Sequence, residues 1–159
     1  MMIEQILSLP IEKKIGQLFF IGIAGAEFDE AARRLLKEIS PGGVCLFARN
    51  IRQAAQTRKL LDEIRENSAV EPFLSLDQEG GLVDRLRRVV EPMPAANTLK
   101  TPEQAARLAE ITAEILRILG FNMNFAPVVD VLDEARGSSN NGLFSRTFGN
   151  TKEEVFEFS

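Results

Sequence analysis

Asp77 and Glu79, one residue apart in the string DQEGG, are the side chains with the most evident capacity for chemistry. A paired acid and base is what glycosidic hydrolysis needs, and retaining enzymes of that kind hold their two carboxyl groups about 5 to 5.5 Å apart. The same string also reads as a tight turn. In that reading the carboxylates cap nearby N–H groups, and Gly80 and Gly81 supply backbone conformations that other residues resist. Arg85 follows the turn, and Arg146 lies in a second polar string, SRTFG. Either arginine could give forked hydrogen bonds to vicinal hydroxyls or to a carboxylate, or pair with a neighbouring acid. Asp130, placed after two valines, is expected to be buried and to orient backbone or Arg146, with direct ligand contact as the alternative.

Missing residue types restrict the chemistry as sharply. With no histidine, the chain cannot build a Ser-His-Asp or Cys-His triad, an imidazole proton shuttle or most zinc sites. Trp and Tyr are also absent, so any aromatic platform must come from the eleven phenylalanines. No metal and no cofactor is expected, and no Gly-x-Gly-x-x-Gly or Walker lysine follows a strand to cradle phosphate. Nineteen basic against twenty-three acidic residues give a net charge of −4, without the positive field that draws proteins to nucleic acid or anionic lipid. Neither partner is expected. The single cysteine, Cys45, has no internal disulfide partner, and its neighbours Val44 and Leu46 predict a buried thiol. There is no basic leader ahead of an apolar core, and no apolar run approaches about 18 residues. A cytoplasmic protein is the expectation.

The elements that must position these residues follow from periodicity. The 159 residues, 45% hydrophobic and 26% charged, suit one folded domain. Apolar residues in 3–9, closed by Pro10, predict a short helix. The run LFFIGIA within 14–25 predicts a strand buried on both faces. Helical spacing returns over 27–39, GGVCLFA reads as a second strand, and 51–65 as another amphipathic helix. Residues 72–76 form a third strand running straight into DQEGG. Thr101 and Pro102 open a helix to 119 as N-cap and first helical residue. Residues 121–131 make a fourth strand that must stop or bulge at Pro127. After the polar loop GSSNNGLFSRTFGN, Thr151 and Glu154 form a capping box that starts a last helix.

This alternation, with connections too long for hairpins, predicts an α/β fold with parallel strands and right-handed crossovers. Two architectures compete: an open doubly wound sheet, and part of a (β/α)8 barrel, which needs about 250 residues. In both, polar groups at the C-terminal strand ends make the site, and DQEGG, Asp130 and SRTFG all fall there. The last helix carries Val155, Phe156 and Phe158 and stops at Ser159, so 1–159 is expected to be a truncated chain of about four βα units, the first half of a barrel.

Taken together, FLSLDQEGGLVDRL, ILRILGFNMNFAPVVDV and SRTFGN resemble the N-terminal barrel domain of glycoside hydrolase family 3, especially its β-N-acetylhexosaminidase branch. The segments IGQLFFIGIAG and PGGVCLFARNI look like that family's first two strands. The resemblance implies a retaining β-glycosidase that removes a terminal β-linked sugar, often N-acetylglucosamine from cell-wall fragments, through a covalent glycosyl-aspartate. It implies that Asp77, Arg85 and Arg146 bind the sugar and that Glu79 supports the turn. The family's Lys-His pair, its histidine acid/base and its nucleophilic aspartate lie on later strands and loops. No catalytic residue is therefore expected within these 159 residues. Leu82 departs from the arginine that usually follows the double glycine, which points to altered specificity. The alternatives are a non-catalytic half-barrel that binds a sugar or a protein partner, and a small flavodoxin-like domain. A half-barrel is expected to self-associate or to need its missing half.

Overall fold

A computed structural model describes residues 2–132 and 142–159 of the chain, and residues 137–141 of the predicted polar loop lie outside that set. The element order is α1 (Met2–Ser8), α2 (Ile11–Gly16), β1 (Phe20–Ile21), α3 (Glu30–Ile39), β2 (Gly43–Leu46), α4 (Ala54–Glu66), β3 (Phe73–Leu76), α5 (Pro102–Leu119), β4 (Met123–Asn124) and α6 (Lys152–Phe158). The strands form one sheet in the order β1-β2-β3-β4. The pairs β1/β2 and β2/β3 are parallel, with Ile21 opposite Val44 and Leu46 opposite Leu76. Strand order that follows chain order has no switch point. It is the winding of a (β/α)8 barrel and not of a doubly wound sheet, whose order reverses.

The chain divides into two compact units, Met1–Leu76 with Leu116–Met123, and Asp77–Ile115 with Asn124–Ser159. In the first, Val44, Leu46, Leu74 and Leu76 from the strands pack with Leu60, Leu61 and Ile64 of α4, all at most 1% exposed. The mainly apolar, mostly buried runs GVCL and LSL fit strands covered on both faces. Asp29 caps α3 by accepting a 2.8 Å hydrogen bond from the Ala32 N–H. In the second unit the buried residues include Leu86, Met93, Ala105 and Val155. There α6 begins with the predicted capping box of Thr151 and Glu154, and Phe158 stacks on Phe148 with ring centroids 5.7 Å apart.

The first and fourth strands are shorter than their patterns predict. The run beginning at Lys14 starts as the last turn of α2, only Phe20 and Ile21 pair as strand, and Leu18 and Phe19 are exposed. Pro10 is the N-cap of that helix, and its fixed φ suits a helix start. Only Met123 and Asn124 of 121–131 count as strand. Here two asparagine side chains do work that a ladder would do. Asn122 accepts from the Leu74 N–H at 2.7 Å and donates to the Pro72 carbonyl at 3.1 Å. Past Asn124 the chain leaves the sheet, since Pro127 offers no N–H to a ladder. Asp130 is consequently exposed and not buried as its two preceding valines predicted, and Val129 is exposed with it. Cys45 is half-buried, less enclosed than its neighbours predicted.

Candidate functional site

The DQEGG string leaves the end of β3 as a turn that only glycine can make. Gly80 has φ +91° and Gly81 φ +55°, and a Cβ on Gly80 would lie 2.2 Å from the Pro94 carbonyl oxygen. The turn closes on itself through Glu79 N–H to Val83 O at 3.0 Å and Val83 N–H to Gly80 O at 3.1 Å. Arg87 lies along it, donating to the carbonyls of Gly81, Leu82 and Asp84. Leu82 projects from the turn 64% exposed.

Each of the two carboxylates meets an arginine. Arg85 Nη2 donates to Asp77 Oδ2 at 3.0 Å, with both side chains about a quarter exposed (24% and 29%). Arg146 Nε and Nη2 donate to Glu79 Oε2 and Oε1, both at 2.8 Å, in a fork that takes both oxygens. The Glu79 side chain is only 9% exposed while Arg146 is 32% exposed. This fork first, and then the charges of Glu79, Asp130 and Asp77, hold the Arg146 guanidinium above its ordinary pKa against the opposing effect of burial. Asp77, Arg85 and Arg146 therefore belong to one electrostatic cluster, all within the second unit. Asp130 also acts on Arg146 through its charge.

This geometry bears on the simplest reading of Asp77 and Glu79. Both oxygens of Glu79 accept from Arg146, an arrangement that favours an anchoring role for Glu79 over a free acid and base pair with Asp77. The Glu79 side chain also reaches across 67 positions to Arg146. Arginines 85 and 146 together with Asp77 keep partly exposed polar heads. They can donate to and accept from hydroxyl groups while their ion pairs hold them in place.

Several residues that brace this region were not singled out by sequence reasoning. Gln78 and Asp84 are 3% and 2% exposed and hydrogen-bond to each other at 2.9 Å. Asn124 clamps the Gln78 backbone, accepting from its N–H at 3.0 Å and donating to its carbonyl at 3.2 Å. In the first unit, fully buried Asn50 holds the loop after β1 by donating to the carbonyls of Ile23 and Gly25. The available signal was polar amides at alternate positions of an apolar run, as in FNMNF, or directly after one, as in FARN. Among the described residues, no group of three or more Cys, Asp and Glu is arranged to hold a metal ion. No helix of the described residues is long and apolar enough to cross a membrane.

Parallel strands in chain order, with charged side chains gathered just beyond the C-terminal end of β3, define a barrel-type α/β protein. Residues 10–159 match the model of the glycosyl hydrolase family 3 N-terminal domain, and the chain belongs to that family. It is 36% identical over 124 residues to a β-hexosaminidase of Pseudomonas aeruginosa, an alignment covering 74% of this chain and 36% of that protein. A β-hexosaminidase of Stenotrophomonas maltophilia is 31% identical over 151 residues, covering 89% of this chain and 44% of the relative. Among solved structures, the family 3 β-N-acetylglucosaminidase of Paenibacillus sp. str. FPU-7 superposes with a TM-score of 0.84 at 37% identity, covering 95% of this chain and 30% of that one. The chain thus spans less than half the length of these relatives.

Proposed function

We propose that this chain supplies the sugar-binding part of a retaining β-glycosidase that removes terminal β-linked N-acetylglucosamine. The observation that carries the reading is the cluster of Asp77 with Arg85 and Glu79 with Arg146, on a chain similar to β-hexosaminidases. Asp77 accepts from sugar hydroxyls, and Arg85 and Arg146 donate to them. Glu79 and Asp77 keep the two guanidinium planes from swinging into solvent, so the order needed for binding is established before the sugar arrives. Acid/base and nucleophilic steps fall to residues outside these 159, consistent with a chain that has no histidine and whose Glu79 is held by an arginine fork. Cell-wall-derived β-N-acetylglucosaminides as substrates and the cytoplasm as compartment belong to this proposal. A lone cysteine suits a reducing compartment.

The test is hydrolysis of a chromogenic β-N-acetylglucosaminide by the protein expressed from its complete reading frame. Asp77→Ala and Arg146→Ala each remove a charged partner from sugar hydroxyls, worth about 1.5 to 3 kcal/mol, and kcat/KM is expected to fall about 10- to 100-fold. Exposed Arg88, outside the cluster, is the control, and Arg88→Ala leaves the rate within about twofold. Equal losses in all three would mean a stability effect and the wrong site. Binding without turnover in the unmutated protein would favour a non-catalytic sugar-binding role.

A further inference from the structure

Gln78 and Asp84 are almost wholly buried, yet neither packs as a simple core residue. Gln78 Oε1 accepts from two consecutive backbone N–H groups, Arg85 at 2.9 Å and Leu86 at 3.1 Å. Its Nε2 donates to Asp84 Oδ1 at 2.9 Å and lies 3.2 Å from Met93 Sδ. Asp84 Oδ1 also accepts from Leu86 N–H at 3.1 Å, and Oδ2 accepts from Met93 N–H at 2.9 Å. No ion pair of Asp84 is found among the described residues, so its charge is balanced by N–H donors alone. An arrangement selected for stability alone would be served as well by apolar side chains of similar volume, because burying charge is costly. What a fully satisfied polar network adds is a single geometry.

That geometry is aimed at one residue. The Arg85 N–H is itself a member of the network, and the backbone on its C-terminal side is held twice at Leu86. Gln78 in turn cannot shift, since Asn124 clamps both its N–H and its carbonyl. The residues flanking Gln78 are the two carboxylates, Asp77 and Glu79, that receive the arginines. We propose that Gln78 and Asp84 are positioning residues that set the Arg85 guanidinium against Asp77 and thereby govern sugar affinity without touching the sugar. The inference rests on the reading of Arg85 as a sugar ligand.

The hydrogen-bond polarity of the pair supplies a rescue. Gln78→Glu removes the donor facing Asp84 and sets two carboxylates against each other. Asp84→Asn puts an amide where donors already point. Made together, the two substitutions restore one donor and one acceptor across the pair, preserve the net charge, and leave Arg85, Leu86 and Met93 N–H groups each with an acceptor. In the protein from the complete reading frame, each single substitution is expected to raise KM for a chromogenic β-N-acetylglucosaminide about tenfold, and the exchange to recover most of that loss. In an Arg85→Ala background, Asp84→Asn should leave KM unchanged, because the residue through which it acts is gone. An equal KM increase with and without Arg85, or a lowered melting temperature at unaltered KM in the single variants, would overturn the proposal. Should one single variant fail to fold, the other single variant, alone and with Arg85→Ala, decides the question. If Arg85→Ala alone leaves KM intact with Gln78 and Asp84 in place, it is the sugar-ligand reading that has failed, and the positioning role falls with it.

Discussion

Glu79 shows how one side chain can change the meaning of a motif. As a neighbour of Asp77 it invites a two-carboxyl mechanism, but the Arg146 fork at 2.8 Å takes both its oxygens. Nothing local in DQEGG announces this, because the partner lies 67 residues away. The turn chemistry, by contrast, was legible, since positive φ is a property of the glycines themselves. Gly80→Ala should destabilise the protein by at least about 2 kcal/mol, from left-handed strain and from a Cβ driven into the Pro94 carbonyl, and urea unfolding would measure it. Arg146 also makes a prediction about pH. Its pKa is raised by the Glu79 fork, so while Glu79 is ionised its contribution is complete below its unfolded value and is lost as pH rises through the folded one. Between about pH 5 and 9 the fold-loss caused by Arg146→Ala should therefore be flat, which a pH series of kcat/KM for both proteins would check.

At the scale of elements, what was legible is what is local. The starts of α5 and α6 are written within four residues, and Thr151 indeed accepts from the Glu154 N–H at 3.2 Å. Thr151→Ala is expected to cost about 1 kcal/mol, seen as a lower urea midpoint at unchanged slope. The lengths of β1 and β4 were not legible, because an apolar run does not say where its ladder stops. Leu18 and Phe19 are as hydrophobic as any strand residue and still stand outside the ladder. At β4 the explanation is particular: the Asn122 side chain supplies two hydrogen bonds beside β3 that strand backbone would otherwise make. Asn122→Ala strands the buried-edge N–H of Leu74 and should cost about 1 to 3 kcal/mol, measurable in the same unfolding experiment.

For the whole molecule, strand and helix alternation announced parallel winding, and the order β1-β2-β3-β4 selects the barrel over the doubly wound alternative. The first unit leaves Leu18, Phe19, Phe20 and Phe73 between 43% and 81% exposed, and Phe20 stacks on Phe73 at 6.0 Å. Apolar surface of this kind favours association, so light scattering of the 159-residue chain across a dilution series should report species larger than a monomer at micromolar concentration. A compact monomer with a cooperative melt would contradict that expectation. The most direct test of the division between binding and catalysis is incubation of the same 159 residues with a chromogenic β-N-acetylglucosaminide. No release of chromophore above the buffer rate is expected. Turnover that disappears in both Asp77→Ala and Glu79→Ala would show a working carboxylate pair within this chain and would contradict the assignment of Asp77, Arg85 and Arg146 to binding alone.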